Sequence, residues 1–363
     1  MKAMVMAAGV GTRLEPLTYE VPKPMVPVVN RPVMEHIIGL LQQHGITDII
    51  ANTYYLPGRI KEYFGDGRDF GVNLHYSQET KLMGTAGGVK NNQWFLDDTF
   101  VVVSGDALTD INLRRLIDFH KSRAALATIA LKRVEDVSKF GVVITDETGR
   151  IRSFQEKPKQ EEALSDLVNT GIYVFEPEIF KLIPDGEVYD FGKQLFPLLV
   201  NLNAPFYGWP IDDYWCDIGS LETYREANFD VLMGRVKVNI PGEIDGQGIW
   251  LEDGVQVHNS AQLIGKIMLG RQVIIEPDVT LAGKVIIGPK CVIKKGSVIQ
   301  DSIIWANTIV EENASVTASI IGNRCTLGKG SVLKPGVIIA DGVKVPMGEE
   351  VPAEEILGRK TVI

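Results

Sequence analysis

Hydrophobic and polar positions follow two rhythms along this chain of 363 residues, and the change falls near Arg235. In the first part, short apolar runs that suit buried strands, Lys2 to Ala8, Ile46 to Asn52, Phe100 to Ser104 and Leu126 to Lys132, alternate with helix-like segments. Pro32 to His44 has the helical spacing, with Val33, Ile37, Leu40 and Leu41 on one face. Such alternation predicts an α/β fold with a mainly parallel sheet, in which ligands gather at the carboxyl ends of the strands.

The second part has a period of six. Stepping from Leu251 gives Val257, Leu263, Leu269, Ile275, Leu281, Ile287, Ile293, Ile299 and Trp305, all large and apolar. Four positions after each falls a small or branched residue, the series running from Val255 and Ala261 through Cys291 and Ser297 to Ile303 and Ile309. The pattern breaks at Glu311 and resumes four residues out of phase at Ile321, Leu327, Leu333 and Ile339. Hexapeptides of this kind resemble a left-handed parallel β-helix, three units to a triangular coil, with the phase break marking a protruding loop or a change of coil. Cys291 and Cys325 occupy inward small-residue positions and read as packing residues. The divisions predicted are a first domain over 1–236, a linker over 237–250 rich in Gly and Pro, the β-helix over 251–346 and a tail over 347–363.

Composition narrows the function classes. A net charge of −9 argues against general nucleic-acid or anionic-membrane binding, and 45% hydrophobic with 23% charged residues is ordinary for globular proteins. The three cysteines and five histidines have no metal-ligand spacing. The apolar start is only a strand long, and without a secretory signal or an apolar membrane span the expected location is cytoplasmic.

Candidate chemistry begins where the first apolar run meets Gly9-Val10-Gly11. Glycines let several backbone N–H groups approach one anion, and Thr12 and Arg13 add a hydroxyl and a guanidinium fork beside it. The spacing is neither a P-loop nor a dinucleotide fingerprint. A lysine arrives instead from Pro22-Lys23-Pro24, where the prolines predict extended backbone at Val21 and Lys23 and a definite side-chain direction.

GVGTRLEPLT followed by PKPM resembles the signature of the sugar nucleotidyltransferases, the NDP-sugar pyrophosphorylases, and is most similar to their mannose-1-phosphate guanylyltransferase branch. The resemblance implies a Rossmann-like catalytic domain that joins a nucleoside triphosphate to a sugar 1-phosphate and releases pyrophosphate. It implies that the backbone of Ala8, Gly9, Val10, Gly11 and Thr12, with Arg13, holds the β- and γ-phosphates, and that Lys23 meets the α-phosphate. Two anions must be brought together, so neutralisation and alignment carry the catalysis. Asp106, after Phe100-Val-Val-Val-Ser-Gly, and Asp217, in Trp215-Cys-Asp-Ile-Gly, resemble the family's metal-binding aspartates and imply Mg²⁺. Taken alone, either could be a solvated or helix-capping carboxylate.

On the same resemblance, Gly141, Glu156, Lys157, Asn169 and Gly171 would receive the sugar phosphate, with Glu156 and Asn169 on hydroxyls and Lys157 on the phosphate. Gly141 and Gly171 could equally serve turns, and Glu156-Lys157 a charged surface. Base selection falls to Gln78 and Glu79 and to Gly84 and Thr85 of the GTAGG run. A carboxylate suits the donor edge of guanine, so GTP and mannose 1-phosphate are the expected substrates, with thymidylyl, uridylyl or adenylyl transfer to glucose 1-phosphate as the alternative. A hexapeptide acyltransferase would want a histidine base, and the repeats hold only His258. A noncatalytic regulator need not keep Arg13, Lys23, Asp106, Glu156, Lys157 and Asp217 together. The flat faces of a β-helix make a homo-oligomer plausible.

Overall fold

A computed structural model describes residues 1–246 and 248–358. Contacts divide the chain into two compact units: Met1–Val10, Pro22–Pro24 and Val33–Asp217 form the first, and Gly11–Val21, Met25–Pro32 and the described residues from Ile218 onward form the second. The boundary at Asp217 differs from the one expected at residue 236. No described helix is long and apolar enough to cross a membrane.

The first unit is built on β1 (Lys2–Ala7), β2 (Asp48–Thr53), β3 (Asn73–Gln78), β4 (Phe100–Ser104), β5 (Ala107–Thr109), β6 (Ala127–Arg133), β7 (Gly141–Thr145), β8 (Ile151–Glu156), β9 (Leu167–Phe175), β10 (Phe206–Pro210) and β11 (Trp215–Asp217). Its sheet has the order β8-β7-β9-β4-β1-β2-β3, with β6 joined to β9 and β10. Strands β4, β1, β2 and β3 run parallel, as the continuous apolar runs Phe100–Ser104 and Lys2–Ala7 require of strands buried on both faces. Strand β9 inverts the direction against β4 and β6, and its register slips between Asn169 and Tyr173. Strands β5 and β11 form a separate antiparallel pair that sets Asp217 opposite Ala107.

Helices are α1 (Val33–Gln43), α2 (Pro57–Phe64), α3 (Gly84–Lys90), α4 (Leu113–Ser122), α5 (Phe196–Asn201) and α6 (Leu221–Leu232). The apolar face expected on the first of these is buried at Val33, Ile37, Leu40 and Leu41.

The second unit contains the β-helix. Its inward column on one face is Leu269, Ile287, Ile304, Ile321, Ile339 and Leu357, each paired in parallel with the next. The steps are eighteen residues except from Ile287 to Ile304 and from Ile304 to Ile321, which are seventeen. Each short coil drops one residue at the same corner, at Asp301 and Ala318, both at positive φ. Two deletions of one residue equal a four-residue shift in a period of six, so the phase break comes from shortened corners and not from a protruding loop.

The register therefore corrects three expected inward positions. Ile304, not Trp305, joins the inner stack, and Trp305 donates its indole N–H to Tyr224 Oη at 2.8 Å on α6. Ile303 and Ile309 likewise lie outside the stack, their small inward places taken by the buried Ser302 and Thr308. Cys291 and Cys325 do point inward, where burial pushes both thiols up to about 12. Strands also occupy residues read as linker and tail: Ile249–Leu251 pairs with the first coil, and Glu350–Val351 and Ile356–Leu357 continue the last.

Candidate active site

The end of β4 and the β5–β11 pair bring two carboxylates to one lysine. Asp106 accepts a short hydrogen bond and ion pair from Lys23 Nζ through Oδ2, and one from Ser104 Oγ through Oδ1 at 2.6 Å. Asp217 Oδ1 lies 3.7 Å from the same Nζ. Burial alone would raise the Asp106 carboxyl, but the ammonium of Lys23 and the Ser104 hydroxyl hold it below the usual carboxylate range. Capping explains neither aspartate, because α4 takes its cap from Asn112 and α6 from Ser220, which forms a capping box with Thr223. Lys23 opens a 3₁₀ turn, Lys23–Met25, where proline framing predicted extended backbone. Its direction is fixed by burial and the two carboxylates, which outweigh the local preference of a residue before proline.

Ala8 and Gly9 follow β1 directly. Gly9 has no neighbour within 4 Å of where a Cβ would stand, so packing gives no reason for glycine there. Beyond Val10 the chain enters the second unit, where Gly11 adopts the left-handed conformation (φ 76°) and caps a 3₁₀ turn over Thr12–Leu14. Thr18 Oγ1 and Leu14 N both donate to Gly11 O, at 2.9 and 3.0 Å, and the Thr12 and Arg13 side chains are exposed.

The two residues expected to read a base differ in placement. Gln78 is exposed at the end of β3, its Oε1 3.4 Å from Lys61 Nζ. Glu79 is 8% exposed and turned inward, accepting from Asn52 Nδ2 at 2.7 Å and from Met83 N at 3.1 Å. The GTAGG run has a packing explanation. A Cβ on Gly84 or Gly87 would collide with the backbone of residues 187–189, and one on Gly88 would fall 2.8 Å from Glu79 Oε1. Thr85 Oγ1 donates to Asp190 Oδ2 at 3.0 Å and accepts from Phe191 N at 2.8 Å.

The expected sugar-phosphate residues gather around β7, β8 and β9. A Cβ on Gly141 would overlap the Phe154 ring and fall 3.2 Å from Glu156 Oε2. Burial raises the Glu156 carboxyl and Asp190 adds to that, against the opposing pull of Lys157 and Lys193. Lys157 has φ 47°, a strained conformation for a non-glycine residue, with its N–H held by Phe140 O at 3.1 Å. Asn169 donates to Tyr173 Oη and accepts from Gly171 N, both at 3.0 Å, which fixes the bulge in β9. Gly171 (φ 76°) brings this bulge against Ser104, 3.1 Å from a Cβ built there. Ser104 thus bonds Asp106 and leaves little room for a side chain at Gly171, a position signalled in the sequence only by a hydroxyl two residues before Asp106.

The Asp190-Phe-Gly-Lys193 turn escaped sequence reading altogether. Asp190 Oδ1 accepts from Gly192 N at 3.0 Å while Oδ2 holds Thr85, and a Cβ on Gly192 would overlap Glu156 Oε2. Its only signal was an aspartate two residues before a glycine.

Residues 2–233 match the family model described as nucleotidyl transferase. The chain belongs to that family. Residues 246–351 match the EIF2B subunit epsilon LbH domain. Among similar proteins, a UTP–glucose-1-phosphate uridylyltransferase of Synechocystis is 42% identical over 84% of this chain and 83% of its own length. A mannose-1-phosphate guanylyltransferase of Mycobacterium tuberculosis is 36% identical over 76% of each. A solved structure of a putative glucose-1-phosphate thymidylyltransferase from Bacillus anthracis, in complex with sucrose, superimposes with TM-score 0.58 at 26% identity, covering 63% of this chain and 94% of that one. This member of the family is a sugar-1-phosphate nucleotidyltransferase.

Proposed function

We propose that the enzyme transfers a uridylyl group from UTP to glucose 1-phosphate. A phosphate oxygen of the sugar phosphate attacks the α-phosphorus, the bond from that phosphorus to the bridging oxygen breaks, and pyrophosphate leaves with the electron pair. The observation that carries the choice of nucleotide is the burial of Glu79. Its carboxylate serves Asn52 and Met83, so the acidic group that favoured guanine is committed inside the fold. Gln78 stays exposed, and its amide offers one donor and one acceptor, matching the O4 and N3–H edge of uracil. The 42% identity to a uridylyltransferase supports the same reading.

In this reading the amides from Ala8 to Thr12 and the Arg13 guanidinium hold the β- and γ-phosphates and favour departure of pyrophosphate. The open space at Gly9 leaves room for that approach. Lys23 faces the α-phosphate and neutralises charge that develops there. Glu156 and Asn169 orient sugar hydroxyls and Lys157 binds the sugar phosphate. Asp106 and Asp217 fit a hard divalent cation such as Mg²⁺. No three His, Cys, Asp or Glu side chains cluster among the described residues, so phosphate oxygens and water would complete six ligands. When bound, such an ion would supply neutralisation of the triphosphate.

Guanylyl transfer to mannose 1-phosphate is the second reading, favoured by the 36% identity to the mycobacterial enzyme. Pyrophosphate release across four NTPs with glucose 1-phosphate and mannose 1-phosphate separates the two. A higher kcat/KM for GTP with mannose 1-phosphate overturns the uridylyl assignment, and no turnover with any pair overturns nucleotidyl transfer by this chain.

A further inference from the structure

One buried polar chain crosses the sheet beneath the proposed nucleotide site. Ala7 N donates to Asn52 Oδ1 at 2.9 Å, Asn52 Nδ2 donates to Glu79 Oε1 at 2.7 Å, and Met83 N donates to Glu79 Oε2 at 3.1 Å. Ala7 is the last residue of β1 before the glycine turn, and Met83 is the N-cap of α3, which opens at Gly84. Asn52 and Glu79 are 5% and 8% exposed. A side chain on Gly88 would displace both, since its Cβ would lie 2.8 Å from Glu79 Oε1 and 3.0 Å from Asn52 Nδ2.

We propose that Asn52 and Glu79 are positioning residues that lock the phosphate-side turn after β1 to the base-side start of α3, and so set the affinity for the nucleoside triphosphate. The proposal rests on the reading that the triphosphate lies at Ala8 to Thr12 and the base at Gln78 and Gly84. The physical basis is directional. The link contains three donors and three acceptors in one order, buried at Ala7, Asn52 and Glu79 and part-buried at Met83, and each backbone N–H it satisfies would otherwise lack this partner at a strand end or a helix start. A carboxylate, acceptor only, is required next to the Asn52 amide, while the amide must present oxygen to Ala7 and nitrogen to Glu79.

That polarity can be reversed without moving an atom position. Glu79→Gln alone sets two N–H donors against each other or withdraws the acceptor from Met83. Asn52→Asp alone sets two carboxylates at hydrogen-bond distance, a repulsion relieved when the pair shares a proton. Together, N52D and E79Q restore every bond: the introduced aspartate accepts from Ala7 N and from the introduced glutamine amide, whose oxygen accepts from Met83 N.

The experiment measures kcat and KM for UTP and for glucose 1-phosphate in wild type, N52D, E79Q and N52D/E79Q, with hydrogen exchange at the Ala7 and Met83 amides. Each single variant should raise KM for UTP about 10- to 100-fold with a smaller change in kcat and in KM for glucose 1-phosphate. The N52D defect should lessen as pH falls and the E79Q defect should not. The double variant should return to within about threefold of wild type. Inactive wild type would refute the functional reading, and exchange protection would then still judge the brace: lost in the singles and regained in the double. Single variants with unchanged KM for UTP overturn the proposal. So does a double variant that fails to fold or is as impaired as the worse single.

Discussion

Asp106→Asn changes one charge and almost no volume at the point where the proposed chemistry converges. In the wild type, Oδ2 pairs with Lys23 and Oδ1 accepts from Ser104 Oγ at 2.6 Å. The introduced amide can turn its oxygen to Lys23, because the serine hydroxyl can rotate to accept from the amide nitrogen. Nor is the buried ammonium orphaned, since Asp217 remains 3.7 Å away. At an effective dielectric of about 20, that remaining pair has a gross attraction of about 4.5 kcal/mol. The stability loss should therefore be ~1–3 kcal/mol, less than the ~3–5 kcal/mol expected when one partner of a buried pair is removed outright. Turnover should suffer more. Losing a carboxylate that holds Lys23, and that in the proposed mechanism would also hold a divalent cation, should lower kcat by roughly 10²–10³, about 2.7–4 kcal/mol of transition-state stabilisation. Urea melts give the first quantity and pyrophosphate release the second. A folded variant that keeps kcat within about tenfold of wild type would remove Asp106 from the mechanism. The sign of the pH dependence is also fixed. Burial opposes ionisation of Asp106, but Lys23 depresses it below its unfolded value, so its stabilisation is present at neutral pH and is lost as pH falls through the folded value. Wild type should lose more stability than the variant on acidification below about pH 4.

Two further outcomes test the sugar side and the β-helix register. Burial and Asp190 raise Glu156, so its neutral form persists to higher pH than for an ordinary glutamate; the acid limb of kcat/KM for the sugar phosphate should lie above that of an ordinary glutamate and vanish in E156Q, with KM for that substrate up about 10-fold or more. In the second unit, Ile304→Ala should cost ~2–5 kcal/mol in a urea melt, as a cavity in the inner stack, whereas Trp305→Phe should cost ~1 kcal/mol for the lost bond to Tyr224. Equal costs, or the reverse order, would contradict the observed register.

Much of the fold was legible because its signals are short-ranged. The run Lys2–Ala7 and the heptad-like face of Val33–Gln43 each declare their element within a dozen residues. The hexapeptide period was equally plain, but its phase was not. A one-residue deletion at Asp301 is invisible in an apolar stretch, Ile303-Ile304-Trp305, where every residue could face inward. Only pairing with Ile287 on one side and Ile321 on the other chooses Ile304.

The candidate site divides the same way. Residue chemistry within a motif was fixed by sequence: a glycine turn open at Gly9, a lysine between prolines and an aspartate at the end of β4. Which groups meet was not, because Lys23, Asp106 and Asp217 lie far apart along the chain and hydrogen bonding between them depends on strand register. Glu79 shows the cost of stopping at chemistry. A glutamate beside an exposed glutamine reads as a surface acceptor, yet alternation along an extended backbone turns the two to opposite sides, and Asn52 and Met83 claim the carboxylate. The sequence by itself determined the kinds of groups carried at the proposed phosphate and sugar positions. The tertiary structure decided which of them stay exposed and which are committed to partners inside the fold, since burial and hydrogen-bond direction belong to contacts between distant segments.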